Sequence, residues 1–179
     1  VDRRGDYENF ILRPAAPSLD LSADEAPSVS YLMIGVEHLV LGLDHVLFVI
    51  GLVLFIRAPL MLLKTITAFT IAHSITLALS IFNIVSLPQA PVEAVIALSI
   101  VFLARELAQE EQQRSVLTRG QPWLMAFAFG LLHGLGFAGA LNDIGLPEDA
   151  IGMSLLLFNV GIEIGQLLII ALFLICLLY

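Results

Sequence analysis

A chain of 179 residues that is 59% hydrophobic and only 13% charged is too apolar for an ordinary soluble domain. Eight Lys plus Arg against sixteen Asp plus Glu give a formal charge of -8, and with a pI near 4.8 this argues against the basic surface that a nucleic-acid binder needs. The mean hydropathy of +0.95 makes lipid the expected solvent, and the single Cys176 allows neither an internal disulfide nor a thiolate metal cluster.

Residues 1–28 hold Pro14, Pro17 and Pro27, six acidic and three basic residues and no sustained periodicity, and read as an exposed extracytoplasmic arm ahead of a transmembrane helical domain over 29–179. Val1-Asp2-Arg3-Arg4 is followed by polar residues and not by an apolar run, so this beginning does not read as a signal peptide; a processed product or a part of a longer chain is expected.

Five apolar stretches follow, at 30–56, 60–83, 89–108, 122–141 and 150–178, each long enough for a helix of about 20 residues to cross hydrocarbon. Turn-forming and charged residues separate them at Arg57-Ala58-Pro59, from Asn83 to Pro91, from Arg105 to Pro122 and from Asn142 to Asp149. The fold predicted is an all-α polytopic transmembrane bundle of about five spans. Arg57, Lys64, Arg105, Arg114 and Arg119 fall at or near the connections after the first and third spans, while those after the second and fourth carry no Lys or Arg. The positive-inside rule then places the N-terminus outside and the C-terminus inside.

Ionisable groups cost about 2.5–3.5 kcal/mol each at the centre of a span, so they face the bundle interior or mark a pathway. Here every stretch has polar or ionisable groups: Glu37, His38, Asp44 and His45 in the first, His73 beside Ser74 in the second, Glu93 in the third, His133 in the fourth, and Asn159, Glu163 and Gln166 in the fifth. On an unbroken helix the seven-residue spacing puts His38 and His45 on one face and Glu37 and Asp44 on the next. Asn159, Glu163 and Gln166, at i, i+4 and i+7, make a second stripe. His45, His73, His133 and Glu163 all fall near the middle of their stretches, where one central site can form. Imidazole nitrogen with carboxylate oxygen suits Zn²⁺, Ni²⁺, Co²⁺ or Fe²⁺. Any single intramembrane histidine can instead be a packing residue bonded to a carbonyl or hydroxyl, and Glu93, just past Pro91, can be hydrated at the interface. Glycines around His133 (Gly130, Gly134, Gly136, Gly139) and around Glu163 (Gly161, Gly165) permit close helix approach beside these groups.

The ordered set HLVLGLDHVLFVIGL at 38–52, LKTITAFTIAHSITLALS at 63–80, PVEAVIALSIVF at 91–102, FGLLHGLGFAGAL at 129–141 and FNVGIEIGQ at 158–166 resembles the HupE/UreJ family of small bacterial membrane proteins. The resemblance implies a multi-pass protein of the bacterial inner membrane and a secondary permease for nickel, sometimes cobalt. The metal-handling role then passes to His38, Asp44 and His45, with His73, His133 and Glu163 as further candidates and Glu37, Glu93, Asn159 and Gln166 as secondary ones.

Three functions are expected to compete. The first is a permease for a divalent metal (Ni, Co or Zn), binding it transiently near midplane and driven by an ion gradient, the membrane potential or another subunit, since the chain has no GxxxxGK[ST] loop. The second is an intramembrane zinc-dependent hydrolase with Asp44, Glu37 or Glu163 as base and Ser74 beside His73, although no HExxH motif is present. The third is a structural or accessory membrane subunit with a buried metal or polar network. The partners implied are the metal ion and the lipid bilayer, with no nucleic acid; a membrane-protein partner and a homo-oligomer both stay open.

Overall fold

The computed structural model describes residues 27–110, 112–144 and 150–178, with side chains described for 30–110, 112–137 and 150–177. The expected arm therefore lies outside the described residues except at Pro27 and Ser28, as does most of the acidic connection over 142–149. The described residues form an all-α bundle of seven helices: α1 (Pro27–Leu41), α2 (Leu43–Phe55), α3 (Pro59–Ile81), α4 (Gln89–Ala108), α5 (Val116–Gly120), α6 (Pro122–Ile144) and α7 (Ile151–Leu178).

Local chemistry sets the ends that matter. Pro59 opens α3, where its missing N–H breaks no helical bond. Asn83, at φ 56, turns the chain left-handed past the end of α3 and lets the Ile84 N–H reach the Leu79 carbonyl at 2.9 Å. Gly42 interrupts the first apolar stretch: it lies between α1 and α2 in an extended conformation, and the two helices meet at a bend of 73°. Glycine is the ordinary residue least committed to a helix, so the break falls there.

These breaks correct the expected number of spans. Among the described residues only α3 and α7 are long and apolar enough to cross a membrane, and the bent pair α1–α2 makes a third if it is taken as one span. About five is too many. The 20 residues of α4 include Glu93, Arg105 and Glu106, and the described apolar part of α6 runs only over Pro122–Phe137. An apolar window registers mean hydropathy but not a kink at one glycine or three charges along one helix. The orientation of the termini relied on loops alternating across five spans and falls with that number.

α3 lies along α6, and α1 along α7; α4 packs on α2 and α6, and α7 also meets α2 and α3. Both main pairs touch backbone to backbone. A Cβ on Gly35 would collide with the Phe158 carbonyl, and one on Gly161 with that of Leu32; one on Gly130 would strike the Phe69 carbonyl, and one on Gly134 the His73 carbonyl. Close packing of this kind drives helix association in lipid, where apolar burial alone gives no preference for protein over lipid tails. Phe48, Leu52, Ile66, Phe69 and Leu103 centre one core cluster, and Leu39, Leu77, Phe158 and Ile162 a second. α7 leaves Leu168, Leu172 and Ile175 exposed on its outer side.

Candidate metal centre

Four helices each bring a histidine toward the level between the two core clusters: α1 supplies His38, α2 His45 with Asp44, α3 His73 and α6 His133. The His38 and His45 rings are centred 4.7 Å apart, His45 and His133 5.0 Å, His38 and His73 6.2 Å, and His45 and His73 6.3 Å. Seven residues of straight helix would separate two side chains by about 10.5 Å along the axis, so the bend at Gly42, and not a shared helix face, brings His38 onto His45. Phe48 and Phe69 wall one side of the cluster, with Phe69 5.1 Å from His133. Phe137 and Phe158 cover His38 at 3.8 Å and 5.5 Å.

Hydrogen bonds fix which nitrogen of three imidazoles faces inward. The His45 Nδ1–H donates to Asp44 Oδ1 at 3.0 Å, and the same oxygen accepts the His45 backbone N–H at 2.9 Å. The Asn159 amide nitrogen donates to the Leu155 carbonyl at 2.7 Å, which turns its oxygen toward His73; His73 Nδ1–H is then the donor at 3.3 Å. The Ser99 hydroxyl donates to the Ile96 carbonyl at 2.6 Å, so its oxygen accepts from His133 Nε2–H at 3.3 Å. The opposite nitrogens, His45 Nε2, His73 Nε2 and His133 Nδ1, together with His38 Nε2, are buried and have no hydrogen-bond partner among the described residues. Each of the three oriented rings thus turns a lone pair inward while a carboxylate, amide or hydroxyl holds its far side, the arrangement common to metal-ligating histidines.

Two overlapping triads result, His38–His45–His73 and Asp44–His45–His133, in each of which one donor atom per residue lies within 4.8 Å of the others. Metal bonds of about 2.0–2.1 Å place tetrahedral donors about 3.3 Å apart, so the donors of each triad lie no more than about 1.5 Å beyond the spacing of one ion's ligands. His45 belongs to both. His73, His133 and His45 are all but fully buried, whereas the Asp44 side chain is 36% exposed and opens the cluster to its surroundings.

The other candidates are placed differently. Glu163 lies on α7 beside α3 and accepts from the Thr67 hydroxyl at 2.8 Å; Gln166 accepts from Thr70 at 3.0 Å. With Asn159 on His73, these pairs tie α7 to α3, and Glu163 and Gln166 are in neither triad. The Ser74 hydroxyl donates to the Thr70 carbonyl at 2.7 Å. Glu93 is exposed and accepts from Gln89 at 3.1 Å, and Glu37 is exposed on α1. Ser99 was not singled out from the sequence; its only signal is one hydroxyl in the apolar run of α4. Thr67 and Thr70 were also missed, although with His73 they recur every third residue on α3.

A multi-pass helical membrane protein with a buried histidine and carboxylate cluster is the class that this fold and site define. A family model described as HupE / UreJ protein matches residues 18–179, and the chain belongs to that family. No curated protein and no solved structure matches it.

Proposed function

We propose that the chain is a permease of the bacterial inner membrane that carries a divalent transition metal, Ni²⁺ or Co²⁺, through the cluster of His38, Asp44, His45, His73 and His133. The observation that carries this reading is the set of four buried ring nitrogens without partners among the described residues, three of them on rings oriented by a bond to the opposite nitrogen. A purely structural polar core satisfies its buried groups, because each one left alone costs about 1–3 kcal/mol. Groups meant for a passing ion stay open.

Asp44, part-exposed and already bonded to His45, is the natural first contact for an arriving cation. Nitrogen-rich donors with one carboxylate favour Ni²⁺, Co²⁺ or Zn²⁺ over Mg²⁺ and Ca²⁺, which take oxygen ligands; the family resemblance favours nickel and cobalt among the first three. A potential of about 100 mV, negative inside, contributes about 4.6 kcal/mol to drawing one divalent ion inward. Of the residues that a hydrolase would use, Ser74 is bonded to the Thr70 carbonyl and Glu163 to Thr67, away from the cluster, and only Asp44 is in a triad, which supports transport over hydrolysis.

The test is uptake by proteoliposomes of the full chain under an imposed potential, with internal Ni²⁺, Co²⁺, Zn²⁺ and Mg²⁺ measured by mass spectrometry. Ni²⁺ or Co²⁺ is expected to accumulate and Mg²⁺ is not, with His45→Ala lowering uptake about tenfold or more at unchanged folded yield. Wild-type uptake by His45→Ala would remove the cluster from the route.

A further inference from the structure

At the end of the bundle where α2 runs into α3 and α5 into α6, a cavity of about 210 Å³ is lined by Arg57, Arg114 and Arg119, with Ala58 and Pro122 also in its wall. No carboxylate lines it among the described residues. Arg114 is held in place: its Nε donates to the Glu106 carbonyl at 3.1 Å, and its guanidinium stacks 4.7 Å from the centre of the Phe55 ring. Among the described residues the terminal nitrogens of Arg114 remain for another partner, and neither the Arg57 nor the Arg119 side chain has a hydrogen bond or ion pair. The nearby Glu106 carboxylate offsets part of the Arg114 charge, but its Oε2 accepts from the Ser115 N–H at 2.9 Å and the Thr118 hydroxyl at 2.6 Å, and its Oε1 faces Arg105 at 3.5 Å, so neither oxygen is spent on the three guanidinium groups of the cavity.

Two long helices also begin at this wall. Ala58 is the N-cap of α3 and supplies no side-chain cap, and Pro122 is the first residue of α6, so both contribute the positive ends of 23-residue helices. From these features we infer that the cavity binds a phosphate-type oxyanion, in the fork geometry that guanidinium groups offer to phosphate oxygens. Its volume is below the roughly 300–1,000 Å³ of sites for whole drug-sized molecules, and suits one phosphate group. The surroundings resemble a membrane interface: Lys64 lies 4.3 Å over the Trp123 ring, and Leu60 and Val116, close in sequence to the cavity wall, are 81% and 80% exposed. A phospholipid headgroup and a free phosphate carry the same chemistry.

The experiment uses the full chain purified in uncharged detergent, with native mass spectrometry against phosphatidylglycerol and phosphatidylcholine, and thermal unfolding with and without inorganic phosphate. For a lipid, phosphatidylglycerol is retained about tenfold to thirtyfold over phosphatidylcholine, and Arg57→Gln/Arg119→Gln loses that preference while Arg105→Gln, outside the cavity, keeps it. For a free anion, inorganic phosphate raises the Tm of the wild type and not of the double variant, with no preference between the lipids. No response to either, or an equal loss in Arg105→Gln, overturns the assignment. Both substitutions in the double variant fall on exposed side chains, so the fold is expected to be retained, which a circular dichroism spectrum checks.

Discussion

The His38 and His45 rings are centred 4.7 Å apart although Gly42 breaks the helix between them and turns the chain by 73°. The bend is what assembles the cluster, and the glycine is held to its size: a Cβ there would come within 2.8 Å of both His45 Nδ1 and the His38 carbonyl. Gly42→Ala is therefore expected to displace the His45 ring from Asp44 and weaken metal binding about tenfold with the helical content unchanged. Isothermal titration of the full chain with Ni²⁺ beside a circular dichroism spectrum checks it.

His45 belongs to both triads, whereas His38 and His133 belong to one each. Replacing His45 with Ala should cost more than about 100-fold in metal affinity, and His38→Ala or His133→Ala less, since one triad survives. Equal losses in all three, measured by competition with a chelator of known affinity, would mean that the triads do not act separately.

The groups behind the imidazoles are expected to matter almost as much as the ligands. Ser99→Ala leaves the His133 Nε2–H without its acceptor, and Asn159→Ala does the same to His73 Nδ1–H. Each should weaken metal binding by about 10–100-fold. If either binds as the wild type does, its imidazole is not held by that bond.

Glu163 separates a central ligand from a tie between helices. Its partner is Thr67 on α3, and it is in neither triad. Glu163→Gln is expected to leave metal affinity within about a factor of two and to lower thermal stability, and Thr67→Val should lower stability in the same way. A large loss of affinity in Glu163→Gln with unchanged Tm would place it among the ligands.

How much of this was legible follows from which patterns are local. The polar residues of α7 recur at i, i+4 and i+7 and do line one face toward α3, because α7 is one unbroken helix. The small residues around His133 signalled a close crossing, and Gly130 and Gly134 do seat α6 on the α3 backbone. The 38–45 stretch misled: its spacing was read on a straight helix, while the contact depends on a break that one glycine permits but does not announce. Ser99 was invisible because its meaning lies in His133, 34 residues away on another helix. The number of spans was overestimated because windows of apolar residues do not show that α4 carries three charges or that the first stretch bends.

Glu106 gives a pH dependence outside the metal site. Burial pushes its carboxyl up, but the Thr118 hydroxyl, the Ser115 N–H and the Arg105 and Arg114 charges together hold it below the usual carboxylate range. A carboxyl lowered in the folded state stabilises it at pH values above the free-glutamate pKa of about 4.3, and that stabilisation is lost as pH falls through the lower folded value. The Tm of the wild type should therefore drop on acidification below about pH 4.3 more steeply than that of Glu106→Gln. Glu106→Ala, which strands the Ser115 and Thr118 donors, should cost about 1.5–3 kcal/mol at neutral pH. Parallel pH profiles for wild type and Glu106→Gln would show that the carboxylate carries no such linkage.

The most direct measurement of the central claim is X-ray absorption at the metal edge of the full chain loaded with one equivalent of Ni²⁺, compared with His45→Ala. We expect imidazole scattering from at least two histidines with nitrogen or oxygen donors at about 2.0–2.1 Å, and its loss in the variant. A spectrum of oxygen donors alone, or one unchanged by His45→Ala, would contradict a metal held by these histidines.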